Sequence, residues 1–185
     1  MYFDIFLSYA IYYFCATVGI TLGYHRYFAH KQFNATPLME VGMLYIGLLC
    51  GGQSPLAWAG VHRMHHAYAD TPFDPHSPIY KKWYEVLFST WRVDHIPRKF
   101  VKDLYKNPRV MFFHKWRYMI LLMTYFLAYM ISIRIVIYLI IVAILSYLFY
   151  GALNLLGHDK DGPQNKWWIN LFAPFEGNHN DHHKG

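Results

Sequence analysis

Residues 118–156 form an apolar run of 39 residues whose only strong charge is Arg134. One bilayer crossing takes about 20 apolar residues, so this run is about twice one crossing. A chain that carries it has to fold back on itself. The sequence places a tight hairpin near Ser132–Arg134, with spans over residues 117–132 and 135–154, although no Gly or Pro marks the turn. Residues 5–24 supply a further span that stops abruptly at His25-Arg26. They lack a basic leader and a small-residue cleavage site, so they read as a retained span rather than a signal peptide. A second apolar stretch, 37–60, is broken by Gly51-Gly52-Gln53-Ser54-Pro55.

Composition agrees. Charged residues are only 15% of the chain against about 25% in an ordinary soluble domain. The 17 Tyr and 6 Trp suit a bilayer interface. Residues 61–117 are polar, basic and punctuated by prolines, which predicts short helices and turns on the cytoplasmic side. The net charge of +6 is explained by that topology and calls for no nucleic acid. Cys15 and Cys50 sit in apolar stretches without a CxxC partner and read as small buried hydrophobes.

Twelve histidines stand out, and their clustering carries the chemistry. The clusters are His25-Arg-Tyr-Phe-Ala-His30, His62-Arg-Met-His65-His66 and His179-Asn-Asp-His182-His183, with His158 alone in Asn154-Leu-Leu-Gly-His158. In HxxHH, positions i, i+3 and i+4 share one helix face, so three imidazoles converge. HxxxxH differs: on an ideal helix five residues run about 140° past a full turn, which places one histidine beyond the helix end. Imidazole suits Zn, Cu, Fe and Ni, but eight or nine nitrogens exceed what one zinc takes. Two irons absorb that number and keep open positions. Shared metals need every cluster on one side of the bilayer. Residues 37–60 therefore dip in or lie in the interface without crossing, and two crossings within 118–156 return the chain to the same face. One HxxHH alone reads as readily as a chance surface run; two copies plus HxxxxH, each at the end of an apolar stretch, do not.

In order and wording, HRYFAH, HRMHH, NLLGH and HNDHH resemble the membrane fatty acyl desaturases, especially stearoyl-CoA desaturase and its bacterial delta-9 relatives. The likeness covers nearly the whole chain from about residue 10. Trp58, four residues before His62, resembles the family's tunnel tryptophan. Asp74-Pro75-His76-Ser77-Pro78 and Glu176-Gly177 resemble the segments after the second box and before the third. The resemblance implies an all-α integral membrane protein, one domain over residues 1–185. It would have three transmembrane helices, a non-spanning interfacial helix pair and a cytosolic helical cap carrying the boxes in 61–116 and 157–185. It implies two iron ions held by His25, His30, His62, His65, His66, His158, His179, His182 and His183, with Asn154 acting through a water and Trp58 against substrate. The implied reaction is O2-dependent desaturation of a saturated fatty acyl chain, delta-9 on acyl-CoA or acyl-lipid. The sequence carries no GxGxxG and no CxxCH, so electrons would come from a partner such as cytochrome b5 or ferredoxin. The pattern departs from the family's in having one span before the first box where two are usual, in stopping soon after the third box, and in placing Phe175 and Asn178 where a glycine and an aromatic are usual.

Metal-bound imidazoles need acceptors for their other N–H. Asp70, Asp159, Glu176 and Asp181 lie near the boxes and are expected either to fill that role or to be solvated loop acids. His76, His95 and His114 read as ordinary polar or interfacial residues. Lys81, Lys82, Arg92, Lys99 and Lys102 either grip a phosphate-bearing carrier or serve topology alone. A hydroxylase of an acyl chain, alkane or sterol shares the boxes and is the alternative reading. A metal transporter is disfavoured, because the second and third spans carry no His, Asp or Glu before Asn154.

Overall fold

The computed structural model describes residues 2–89 and 93–184. Helix α1 spans Tyr2–Cys15 and continues without a break as a π-helix over Ala16–Ala29. Helix α2 (Pro37–Gly47) runs on through a turn of π-helix, Leu48–Gly52, and α3 covers Pro55–Tyr68. Helix α4 is Trp83–Ser89, α5 is Pro108–Ile131, α6 is Ile133–Leu156 and α7 is His179–Lys184. A two-stranded antiparallel hairpin, β1 (His158–Asp159) with β2 (Gly162–Pro163), was not foreseen from the sequence. The fold is otherwise helical, as expected.

Local chemistry fixes the breaks. Thr36 and Ser54 cap α2 and α3, accepting from Met39 N and Ala57 N, and each is followed by a proline at the first helical position, where its missing N–H costs nothing. Between these helices Gly51 (φ +74°) and Gln53 (φ +50°) take left-handed conformations, and the chain reverses there. Ser132 alone separates α5 from α6. Its extended backbone ends one helix, and its hydroxyl accepts from Arg134 N at 3.2 Å to start the next. A side-chain cap thus makes the hairpin that the sequence marks with neither Gly nor Pro.

Helices α1 and α6 run parallel, joined by Tyr138 to Asp4 at one end and Thr21 to Tyr150 (2.8 Å) at the other. Helix α2 runs back along α1 so closely that a Cβ on Gly19 would lie 2.5 Å from Gly47 N. Tyr12, Ile20, Tyr24, Leu44 and Leu48 fill the core between them. Buried Glu40 at the start of α2 accepts from Asn107 and from Arg109 (2.7 Å) at the start of α5. The reversal after Gly52 turns α3 back, so that His62 meets His30 at the end of the bundle where α2 begins. Residues 170–172 do not stay at that end: Tyr9, Tyr12 and Tyr13 of α1 donate to the carbonyls of Leu171, Phe172 and Asn170.

By length and composition, two described helices are apolar enough to cross a membrane, Tyr2–Ala29 and Ile133–Leu156. Helix α5 carries its charges in its first turns, and its second half exposes Leu122, Met123, Phe126, Leu127, Met130 and Ile131.

Candidate metal centre

The π winding of α1 settles how HxxxxH works. Its hydrogen bonds run i→i+5, ending with His30 N to His25 O at 3.0 Å, so residues five apart lie over one another. The rings of His25 and His30 are 4.9 Å apart between centroids. His30 lies just past the last helical residue as its cap, as expected, and it shares a face with His25.

All nine box histidines gather at one end of the bundle, in two adjoining groups. One comprises His25, His30, His62, His66 and His182; the other comprises His65, His158, His179 and His183. Within each, the ligating nitrogens lie within 4.8 Å of one another. The three histidines of an HxxHH do not all converge, contrary to the expectation. In α3, His62 and His66 turn to the first group and His65 to the second; in α7, His182 turns to the first, His179 and His183 to the second. The groups touch where His66 stacks on His183, 4.2 Å between centroids and 10° between planes.

Nε2···Nε2 separations are 2.7 Å for His25–His182, 2.8 Å for His30–His62, 2.9 Å for His158–His179 and 3.2 Å for His65–His183. Two imidazoles at right angles on one cation with bonds of about 2.1 Å would lie about 3.0 Å apart. Carboxylates take the outer nitrogens. Glu176 meets His25 Nδ1 at 2.8 Å, Asp74 meets His65 Nδ1 at 3.0 Å through both oxygens, and Asp70 meets His158 Nδ1 at 2.9 Å. That fixes the tautomer with the lone pair on Nε2, facing inward. Asp70 and Glu176 thus do what the sequence suggested. Asp159 and Asp181 are exposed and make no hydrogen bond to a box histidine among the described residues, and Asp74, which reaches His65 through both oxygens, stands in the sequence only as part of a motif.

Burial favours the neutral form of seven of these rings. It pushes His30 down to about 3, His182 to about 4 and His183 to about 2, with neighbouring imidazolium charges adding to the effect. For His62, His65, His66 and His179 burial is again the main cause and drives them lower still. Burial alone would raise Glu176; the His25 ring beside it holds the carboxyl below its ordinary value. His66 Nε2 is buried with no hydrogen-bond partner among the described residues. Neutral nitrogens converging on common points, one of them orphaned, fit a cation better than they fit one another.

The remaining predicted residues separate. Trp58, 4% exposed, stacks on His62 at 5.2 Å and crosses Tyr24 edge-on. With Asn154, Tyr150 and Leu153 it lines a cavity of about 20 Å³ against the histidines, and with Cys50, Gly51 and Ser146 a further one deeper between the helices. Cys50 is buried and Cys15 partly so, both free thiols. His95 is exposed, and His114 meets Ser54 at 2.6 Å away from the groups. His76 overturns its expectation: it is 1% exposed and its ring lies 4.2 Å from that of His65. The turn that lets Asp74 reach His65 carries His76 inward with it; a histidine outside any repeat gave no signal of that. Lys81, Lys82 and Lys102 are exposed, Lys99 lies over Tyr68 and Phe100, and Arg92 falls outside the described residues.

With this geometry in place, comparison with known proteins is decisive about kinship. The profile of the family described as fatty acid desaturase matches residues 5–184. The chain belongs to the fatty acid desaturase family. It is 30% identical to an sn-1 stearoyl-lipid 9-desaturase of Anabaena variabilis, over 94% of this chain and 68% of that protein. It is 28% identical to an acyl-CoA C20 Delta5-desaturase of Anemone leveillei, over 96% and 62%, and 28% identical to a delta-9 acyl-lipid desaturase of Arabidopsis thaliana, over 90% and 59%. The chain therefore spans about two thirds of the length of these relatives. They differ in acyl carrier and in bond position.

Proposed function

We propose that this desaturase-family chain removes two hydrogens from adjacent carbons of a saturated fatty acyl chain at a di-iron centre held by the nine box histidines. The observation that carries the reading is the pair of adjoining histidine groups, five and four strong, walled on the inner side by Trp58, Tyr150 and Leu153. Iron held there would supply the one-electron chemistry that couples reduction of O2 to attack on an unactivated C–H bond. Overall, the acyl CH2–CH2 loses two hydrogens, O2 takes these plus two electrons and two protons, and two waters leave. The electrons come from a separate donor such as cytochrome b5 or ferredoxin.

The chain's own part is to bind, orient and keep dry. Glu176, Asp74 and Asp70 hold the imidazoles that ligate; the apolar wall presents the acyl methylenes and excludes water. Delta-9 selectivity and a CoA or lipid carrier follow only from relatives that themselves disagree, so both are part of the proposal. We further propose that the whole chain is one domain in the membrane. Residues 5–24, 117–132 and 135–154 cross it, 37–60 dips in, and the histidine end faces the cytoplasm with the basic residues of 61–117. The exposed apolar half of α5 supports its crossing.

The test is expression in a host lacking its own desaturase, with fatty-acid profiling. A new monoenoic acid that disappears on His65→Ala is expected. Hydroxy acids instead would replace desaturation by hydroxylation; no lipid change despite bound iron would refute the activity of this chain.

A further inference from the structure

Tyrosines of the two long apolar helices hold stretches of chain that the sequence places in the cytosol. On α1, Tyr13 donates to Asn170 O at 3.1 Å, and Tyr9 and Tyr12 donate to the carbonyls of Leu171 and Phe172. Closer to the histidines, Thr21 donates to Pro174 O at 2.9 Å. On α6, Tyr147 donates to Phe88 O near the end of α4. The Phe149 ring lies 5.4 Å from that of Tyr12 and 5.4 Å from that of Phe172. Residues 170–172 are thus wedged against α1 and α6, well below the histidine end.

Tyr13 lies 12 residues before His25, and Phe149 nine before His158. At a rise of about 1.5 Å per residue these levels are roughly 14–18 Å below the histidines, somewhat less over the π turns. With residues 5–24 and 135–154 as spans, both levels fall inside the bilayer. Irregular backbone is tolerated there only where protein satisfies its polar groups, whereas a loop in water needs no such help. Tyr9, Tyr12 and Tyr13 stand at i, i+3 and i+4 on one face of α1 and take three consecutive carbonyls of the segment.

The outer face of the segment suits the same surroundings. Residues 167–175 carry no charge and one polar side chain, Asn170, whose Oδ1 accepts from Gly177 N at 2.8 Å. Ile169 and Ala173 are enclosed, while Trp167, Trp168, Leu171 and Phe175 are exposed, Trp167 to 74%. Four large apolar side chains outward in nine residues mark an interaction surface, and tryptophan favours a bilayer boundary. The exposed Ile140 and Ile144 of α6 continue the apolar surface along the bundle.

Resting on the three-span reading above, we infer that residues 167–175 form a re-entrant foot whose partner is the lipid of the cytoplasmic leaflet. The chain leaves the cytosolic face after β2, seats Trp167, Trp168, Leu171 and Phe175 in lipid, and returns at Glu176. The third histidine box is thereby tethered to the bilayer four residues before His179.

The test uses the full chain in phosphatidylcholine vesicles, spin-labelled at Leu171→Cys, with the wild type labelled alongside to subtract Cys15 and Cys50. Trp167→Cys repeats the measurement at a second exposed position should the first variant not fold. Collisions with O2, which concentrates in hydrocarbon, and with a water-soluble nickel chelate report the surroundings. Ile140→Cys is the hydrocarbon reference and Asp161→Cys, between β1 and β2, the water reference. The expected O2-to-nickel ratio at residue 171 is close to that at 140 and at least about fivefold that at 161. A ratio equal to that at 161, with residue 140 in hydrocarbon, overturns the inference and leaves the spans standing. Few collisions with either reagent also overturn it, because protein then covers the face. A water-like ratio at residue 140 itself removes the spans and the foot together.

Discussion

Arg63, between two ligating positions of α3, is expected to be the residue on which the first histidine group most depends. The last turn of the π-helix leaves carbonyls without backbone donors. His30, Lys31 and Gln32 bond back to His25, Tyr27 and Arg26, which leaves Phe28 and Ala29. Arg63 takes both, at 2.6 and 2.9 Å, and reaches Phe100 O at 2.8 Å. It also grips Asp103 with two nitrogens, at 2.7 and 3.0 Å. Burial works against the Asp103 carboxylate, yet Arg63 and then Lys31 hold its pKa well below the ordinary range. Phe28 and Ala29 are 3% and 7% exposed, so Arg63→Ala strands two enclosed carbonyls. Each hydrogen bond from a charged donor contributes about 1.5–3 kcal/mol, and the two together about 3–6 kcal/mol. The Asp103 pair is about a third exposed on the acid side and adds at most about 1 kcal/mol after screening. The loss falls where His30 must meet His62, while the anchors of the second group, Asp70 and Asp74, are untouched. On the di-iron reading, purified Arg63→Ala should therefore bind close to one metal per chain against two for the wild type, with a lower denaturation midpoint. Arg63→Lys should fall between, because a single ammonium cannot fork to both carbonyls and the carboxylate. Metal content measured by elemental analysis decides it. Wild-type loading and stability in Arg63→Ala would refute the claim that this side chain sets the register of the two boxes.

Glu176→Gln keeps an acceptor for His25 Nδ1 but removes its charge, and metal affinity of the first group should fall about 10–100-fold, measured by competition with a chelator. No change would mean that the carboxylate does not tune His25. The metal-free chain should lose stability as pH falls. An unfolded histidine titrates near 6.5, whereas His30, His182 and His183 in the fold titrate near 3, 4 and 2. Below about pH 6.5 the unfolded chain therefore binds more protons than the folded one, and the unfolding free energy declines toward pH 4 and levels off above 6.5. Urea titrations from pH 8 to 5 check the sign; a stability that rises on acidification contradicts it.

Much of this site is legible in the sequence because its logic is local. The i, i+3, i+4 spacing places imidazoles on neighbouring ridges, and the ends of apolar runs place boxes at a bundle's end. The break at residues 51–55 shows because left-handed backbone favours glycine and helix starts favour Ser-Pro. What stays hidden depends on long-range packing. The π winding over residues 16–29 has no residue code; the close approach of α2 at Gly19 accompanies it, and that contact is tertiary. The division of each HxxHH between two groups depends on where the partner helix sits. Asp74 and His76 are placed by one turn whose inward direction no periodicity records. Phe175 is a departure the structure makes concrete: where the resemblance implies glycine, it holds φ +61°, a conformation that an L side chain adopts at a cost.

The splitting of α3 and α7 between both groups has a consequence for assembly. Neither helix can complete a centre alone, and each group draws on the chain's beginning or middle and on residues 179–183. Ions seated there would act as rivets between segments as much as 157 residues apart in the first group and 118 in the second. A nascent chain could hold neither ion firmly until its third histidine box had emerged and swung back onto the first two, so metal uptake would register that the bundle had closed.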